Sequence, residues 1–269
     1  MNYSASEKER LKRNYGPWAV VSGASSGIGL ELAERLAEAG LNLVISSRSQ
    51  TDLETIAQRL SVTYAVDIKV VAADMSNEAG IATLIRATDD LPVGLLVVSA
   101  GFGTSGRFIE SDLGAEIGMV RVNCEALLYL THYYSKLFAQ NKRGGLILMS
   151  SMVGFQGVPF AANYAATKAY VQSLAEALSV ELKPYGVDVL AAAPGPVTSK
   201  FGERASMTMN MALTPAQVGV PILKALGRQS TVLPGLLTKF LVGSLRTVPR
   251  WGKVLIMKRV MGGMTGQKF

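Results

Sequence analysis

The stretch from residue 18 to residue 40 restricts the fold more than any other. Trp18-Ala-Val-Val-Ser22 is a short continuous apolar run. Gly23-Ala-Ser-Ser-Gly27-Ile-Gly29 follows, and Ile28, Leu32, Ala33 and Leu36 then recur at helical spacing before Gly40. A short apolar run suits a strand buried on both faces, and a glycine just past a periodic run ends a helix. The order is therefore strand, glycine loop, helix. Glycines let a backbone turn tightly and approach a pyrophosphate, while the free N–H groups and dipole of the new helix attract its negative charge. Wedged between a buried strand and a helix, this loop is a nucleotide-binding signal.

The alternation continues along the chain. Residues 41 to 46 read as a second strand that ends at Ser47-Arg48, residues 52 to 61 as a helix, and residues 68 to 72 as a third strand running into Asp74-Met75. Residues 77 to 88 are helical, and residues 95 to 98 form a fourth strand that leads into Ser99-Ala-Gly101. Residues 111 to 140 hold one or two helices, with Asn123 inside them; a buried Asn there is structural or holds a water. A fifth strand, 146 to 149, delivers Ser150-Ser151, and a helix reaching residue 182 precedes a sixth strand at 187 to 192. Thr214-Pro215-Ala-Gln217 carries the signals of a helix start, and residues 230 to 233 suit a short edge strand. Such alternation predicts an α/β fold of the Rossmann type, a doubly wound parallel sheet of about seven strands with helices on both faces and ligands at the strand C-terminal ends. No repeat or boundary divides it, so residues 1–269 read as one domain.

In such a fold the end of the second strand meets the adenosine ribose. An acid there accepts from a 2′-hydroxyl, whereas an arginine accommodates a 2′-phosphate. The sequence has Arg48 and no acid from 42 to 51, which predicts NADP(H) in preference to NAD(H). Asp74 and Met75 are placed to meet the adenine edge.

Tyr164 and Lys168 lie four positions apart in a helical stretch, so a phenol and an ammonium share one face. A phenol is a poor acid–base group near neutrality, but a neighbouring cation favours its phenolate. The pair is expected to move a proton with the tyrosine pKa lowered.

Composition closes off other chemistries. One cysteine, Cys124, excludes an intramolecular disulfide framework and any multi-cysteine metal site, as suits a reducing cytoplasm. His132, the sole histidine, follows an apolar helical run and reads as packed or interfacial rather than as part of a hydrolase triad. Residues 1–15 form a polar leader without the apolar core of a secretory signal, and no apolar run approaches the roughly 20 residues of a spanning helix. The formal charge of +7 is uneven. From residue 200 onward eleven Lys or Arg face Glu203 alone, while the remainder carries sixteen cations against nineteen acids. Those cations stand singly among Leu, Val and Met without interleaved aromatics, which argues against nucleic acid and for an anionic substrate, a membrane surface or an acidic partner.

Together these positions resemble the classical short-chain dehydrogenase/reductase family, over roughly residues 15 to 233. The glycine motif falls on Ser22-Gly23-Ala24-Ser25-Ser26-Gly27-Ile28-Gly29, with Ser22 where Thr is usual, the Tyr-x-x-x-Lys motif on Tyr164 and Lys168, and the upstream serine on Ser151. Asn123 matches the fourth catalytic member, and Pro194-Gly195 the motif after the sixth strand. The resemblance implies cofactor contacts from the glycine loop, including Ser25, Ser26 and Ile28, from Ala100-Gly101, and from Pro194, Gly195, Val197 and Thr198, with Thr198 on the nicotinamide amide. It implies a homodimer or homotetramer and reversible carbonyl reduction. Tyr164 would transfer the proton, Ser151 would bind the same oxygen, Lys168 would lower the tyrosine pKa and hold the ribose, and Asn123 would keep a relay water. One departure stands out: the family commonly has Asn-Asn-Ala-Gly where this chain has Val98-Ser99-Ala100-Gly101, a variation expected to cost local stability and not activity.

Specificity in that architecture would come from residues 103 to 110, 152 to 160 and 196 to 213. These and their neighbours include Phe102, Phe108, Met152, Phe155, Val158, Phe160, Phe201, Met207, Met209 and Met211. An apolar, Met-rich lining suits a hydrophobic or acyl-type carbonyl. Residues 235–269 lie beyond the resemblance and place Leu236, Leu237, Phe240, Leu241 and Leu245 near Lys239 and Arg246, then Val254, Leu255, Met257 and Val260 near Lys253, Lys258 and Arg259. This basic amphipathic extension is expected to pack on the core or a partner subunit, or to make peripheral membrane contact from the cytoplasm. A non-catalytic NADP(H)-binding regulator or scaffold is the alternative, which the joint presence of Asn123, Ser151, Tyr164 and Lys168 opposes.

Overall fold

A computed structural model describes residues 3–205, 207, 212–245 and 247–266. The first half of the chain runs α1 (Ala5–Tyr15), β1 (Trp18–Ser22), α2 (Gly27–Glu38), β2 (Asn42–Ser47), α3 (Gln50–Tyr64), β3 (Ile68–Ala72), α4 (Glu78–Arg86), β4 (Val93–Val98) and α5 (Leu113–Val120). The second runs α6 (Leu127–Gln140), β5 (Gly144–Met149), α7 (Ala162–Glu181), β6 (Val187–Ala192), α8 (Lys200–Arg204), α9 (Pro215–Ala225), β7 (Thr231–Val232), α10 (Leu236–Leu245) and α11 (Arg250–Thr265). The strands form one seven-stranded parallel sheet in the order β3-β2-β1-β4-β5-β6-β7. This is the doubly wound architecture expected from the sequence, with its direction reversing between β1 and β4, where a crevice opens at the strand C-terminal ends.

Successive strand residues face opposite layers, so a strand covered on both sides must be apolar throughout. Ala19, Val21, Leu43, Ile45, Leu95 and Val97 pack into one core, and Val20, Val44, Leu96 and Val98 into the other. This explains why the strands appear in sequence as continuous runs rather than alternations. Thr214 and Gln217 form the expected capping box at α9.

The polar leader, to which the sequence alone assigns no element, carries a helix. Residues 5–15 are helical, capped by the Ser4 side chain. α1 buries only Leu11 and Tyr15, too few apolar positions to display a period. The Arg143 guanidinium donates to the carbonyls of Asn14 and Gly16, each at 2.9 Å, and of Arg13 at 2.6 Å, satisfying groups that a helix end leaves unpaired. Tyr15 donates its hydroxyl to Asp188 Oδ2 at 2.6 Å, tying α1 to β6. Burial, and next the Asp188 hydrogen bond, push the Tyr15 pKa up. Tyr15→Phe is expected to destabilise the fold by about 1–3 kcal/mol, since the carboxylate loses a buried donor. Chemical denaturation of both chains checks this, and an unchanged midpoint would show that the contact carries no stability.

Candidate active site

Gly23 follows β1 with φ +72°, and a Cβ there would lie 2.6 Å from the Ala100 amide nitrogen. A Cβ on Gly29 would lie 2.2 Å from the Gly23 carbonyl oxygen. Only glycine fits either place, so the loop folds tightly against the end of β4 and leaves the start of α2 accessible. Ser26 stands at the N-cap without a side-chain capping bond, and Ser25, Ser26, Gly27, Ile28 and Gly29 all line the cleft. Ser22 takes part in holding the altered turn after β4. Its hydroxyl donates to the Val97 carbonyl at 3.5 Å and accepts from the Ala100 amide at 3.3 Å, while its carbonyl accepts from the Ser99 amide at 3.2 Å.

Arg48 lies at the end of β2, exposed on the cleft and in no ion pair among the described residues. Beside it, the hydroxyl oxygens of Ser46 and Ser47 are buried without a hydrogen-bond partner, and both residues line the cleft. Asp74, Met75, Ala100 and Gly101 border the same region, and so does Asp52 from the first turn of α3. A glycine cradle, a free helix start, two unpaired hydroxyls and an arginine fit a phosphate-bridged dinucleotide.

Further along the cleft, α7 presents Tyr164 and Lys168, both buried. Lys168 donates from Nζ to the Met149 carbonyl at 2.7 Å and stands 5.8 Å from the centre of the Tyr164 ring. The Ser151 hydroxyl lies 3.5 Å from the Pro194 carbonyl, which also accepts from the Met152 amide at 3.0 Å, so the loops after β5 and β6 are tied together. The expectation of a lowered tyrosine pKa is overturned. Burial pushes Tyr164 up to about 12, and the Ser151 hydrogen bond opposes that only in part. Burial also drives Lys168 down to about 8. Desolvation disfavours each charged form and sets the direction of both shifts.

Asn123 is buried and does not line the cleft. It lies in a wide helical turn, Arg121–Ala126, between α5 and α6. Its amide donates to the Phe102 carbonyl at 2.9 Å and to Thr167 Oγ1 at 3.0 Å, and its oxygen accepts from the Phe102 amide at 3.1 Å. It therefore fixes the chain after β4 against α7. Pro194, Gly195 and Val197 line the cleft, whereas Thr198 is exposed outside it and Ser199 lines it instead. His132 is exposed on α6, beside a separate shallow groove with Leu178 and Tyr185, rather than packed.

The apolar end of the cleft includes Phe102, Met152, Phe201 and Met207. Phe201 packs on Tyr164 with ring centres 5.2 Å apart. Val158 and Phe160 pack in the cluster around Tyr164, while Phe155 and the exposed Phe108 stand away from the lining. Met209, Met211 and Arg246 lie outside the described residues. Three features were missed in the sequence. Glu116 is buried and braces α5 to α7, accepting from Thr104 Oγ1 and Asn163 Nδ2, each at 2.7 Å. The pair of unpaired serine hydroxyls is the second. The third is the cavity roof, where Leu237, Leu241, Met257 and Met261 from α10 and α11 close a space of about 1230 Å³. Met257 and Met261 are buried in the same cluster as Tyr164, so the extension packs on the core.

Residues 17–210 match the family described as short chain dehydrogenase. The chain is 30% identical over 232 residues to a 7beta-hydroxysteroid dehydrogenase of Collinsella aerofaciens, covering 84% of this chain and 88% of that protein. It is 36% identical over 230 residues to a very-long-chain 3-oxoacyl-CoA reductase of Lodderomyces elongisporus, covering 81% and 65%. Among solved structures, a short-chain dehydrogenase from Sphingobium yanoikuyae in complex with NADPH superposes with a TM-score of 0.78 at 27% identity, covering 87% of this chain and 98% of that one.

Proposed function

Since this chain belongs to the classical short-chain dehydrogenase/reductase family and is an oxidoreductase, we propose that it interconverts a hydrophobic ketone and its secondary alcohol with NADP(H). The observation that carries this reading is one continuous cavity with Arg48 at one end, Tyr164, Ser151 and Lys168 in the middle, and an apolar roof at the other. The glycine loop, Asp74, Met75, Ala100, Gly101, Pro194, Gly195 and Val197 would hold the dinucleotide. Arg48 and the hydroxyls of Ser46 and Ser47 would take a 2′-phosphate, and Ser199 would take the place expected for Thr198. Bound NADPH supplies the hydride. Tyr164 gives its proton to the carbonyl oxygen, and Ser151 donates to the same oxygen, stabilising charge that develops there. Lys168 lies buried behind the tyrosine, and Asn123 is a positioning residue that holds Phe102 and α7. The continuous sheet supports one cofactor-binding domain with 235–269 as its extension. Exposed Leu128, Tyr129, Tyr170 and Val180 on α6 and α7 support a homodimer or homotetramer, and the single cysteine suits a reducing cytoplasm.

The test is turnover of ketones of increasing size with NADPH and with NADH. NADPH is expected to be preferred, with bulky apolar ketones the better substrates. Arg48→Ala is expected to raise KM for NADPH about 10- to 100-fold, the worth of one charge-assisted phosphate contact, while KM for NADH stays within about twofold. Equal use of both cofactors by the unaltered chain would overturn the cofactor assignment.

A further inference from the structure

α10 and α11 present a second face that the cavity does not use. Leu236, Phe240, Trp251 and Leu255 are 86%, 70%, 71% and 56% exposed, whereas Val242, Met257 and Met261 on the same helices are buried. Between the two faces, Leu237, Leu241, Ile256 and Val260 line the cavity and are also 42%, 36%, 43% and 47% exposed. Residues that are both lining and exposed border the cavity mouth. One opening of the cavity is therefore bordered by these helices, beside their outward apolar positions, as another is bordered by the exposed Arg48 and Lys200.

Charge decides what covers this face. From residue 235 to the last residue there are seven Lys or Arg and no Asp or Glu. A second copy of the chain docked face to face would bring like charges together. An anionic lipid surface complements them, and apolar side chains interleaved with Lys and Arg suit the headgroup boundary. No described helix is long and apolar enough to cross a membrane, so such contact stays in the interface.

We propose that α10 and α11 dock on an anionic bilayer and that the cavity draws its substrate through the opening they border. The loading step rests on the hydrophobic-ketone reading given above; the docking step does not.

The experiment is co-sedimentation of the full-length chain with phosphatidylcholine vesicles, with and without phosphatidylserine, alongside Phe240→Ser/Trp251→Ser, whose residues lie outside the cavity lining. Phosphatidylserine vesicles are expected to bind the unaltered chain, high salt to weaken binding, and the double variant to bind at least tenfold more weakly with its melting temperature unchanged. Failure to sediment, or equal sedimentation of the double variant, overturns the proposal. So does light scattering that finds a dimer split by the same two changes, because the face is then a subunit interface. For loading, turnover of a vesicle-borne ketone is expected to rise with phosphatidylserine in the unaltered chain and not in the double variant; an equal rise in both overturns it. A water-soluble ketone assayed without vesicles keeps the readings apart: absent turnover there removes the oxidoreductase assignment and leaves the sedimentation result standing.

Discussion

Tyr164→Phe is expected to lower ketone reduction about 10³-fold, within the range that a positioned general acid contributes. The loss should fall on kcat. NADPH affinity, read by fluorescence titration, should stay within about threefold, because the ring and its contact with Phe201 persist. Retained turnover would remove Tyr164 as the proton donor. The direction of its pKa adds a second reading. Held up at about 12, the phenol keeps its proton through the neutral range, which suits it to give a proton rather than to take one. Alcohol oxidation, which needs the phenolate, is accordingly expected to rise with pH through the alkaline range, while reduction shows no such rise.

Lys168→Met is expected to impair and stabilise the protein at once. Loss of the ammonium behind Tyr164 should lower reduction about 10²-fold. Stability should move the other way. Lys168 sits at about 8 against an ordinary 10.5, a difference corresponding to about 3 kcal/mol of charge burial at pH 7. The Met149 carbonyl, left without its donor, takes back about 1 kcal/mol. The net gain is about 2 kcal/mol at pH 7. Its pH dependence follows from proton counts. Between pH 8 and 10.5 the unfolded lysine holds a proton that the folded one has released, so the unaltered chain gains stability as pH rises there and the Met variant does not. The advantage of the variant therefore shrinks toward pH 10.5. Denaturation midpoints of both chains at pH 7, 9 and 10.5 test this, and a gap that widens with pH would contradict the burial account.

The parts of this molecule legible in the sequence are those where one physical demand governs each residue. β1, β2, β4 and β5 have centres buried on both faces and so read as apolar runs, and β6 does so except at Asp188, which meets Tyr15. The glycine loop is legible because backbone crowding at Gly23 and Gly29 admits no side chain. α1 is not legible, because its place is secured by Arg143 and Asp188, more than 120 positions away in the chain. Thr198 and Ser199 are adjacent, and which of them faces the cleft depends on how the turn after Pro196 pairs with Leu213. The sign of the Tyr164 shift is not legible, because spacing reports the neighbouring charge and is silent on desolvation. In α10 and α11 the amphipathic pattern is visible, but a pattern cannot say that both sides of a helix will be apolar for different reasons.

The division between the Tyr164 wall and the α10–α11 roof bears on how such a molecule can diversify. On the proposed reading, proton transfer is set by α7 and the loops after β5 and β6, whereas much of the cavity's apolar end is lined by a segment outside the span of the family match, residues 17–210. Exchanging that segment would then be expected to change which substrate is accepted while leaving the reaction chemistry intact. Selection, or an engineer grafting the last helices of one relative onto another, can thus vary the two properties separately.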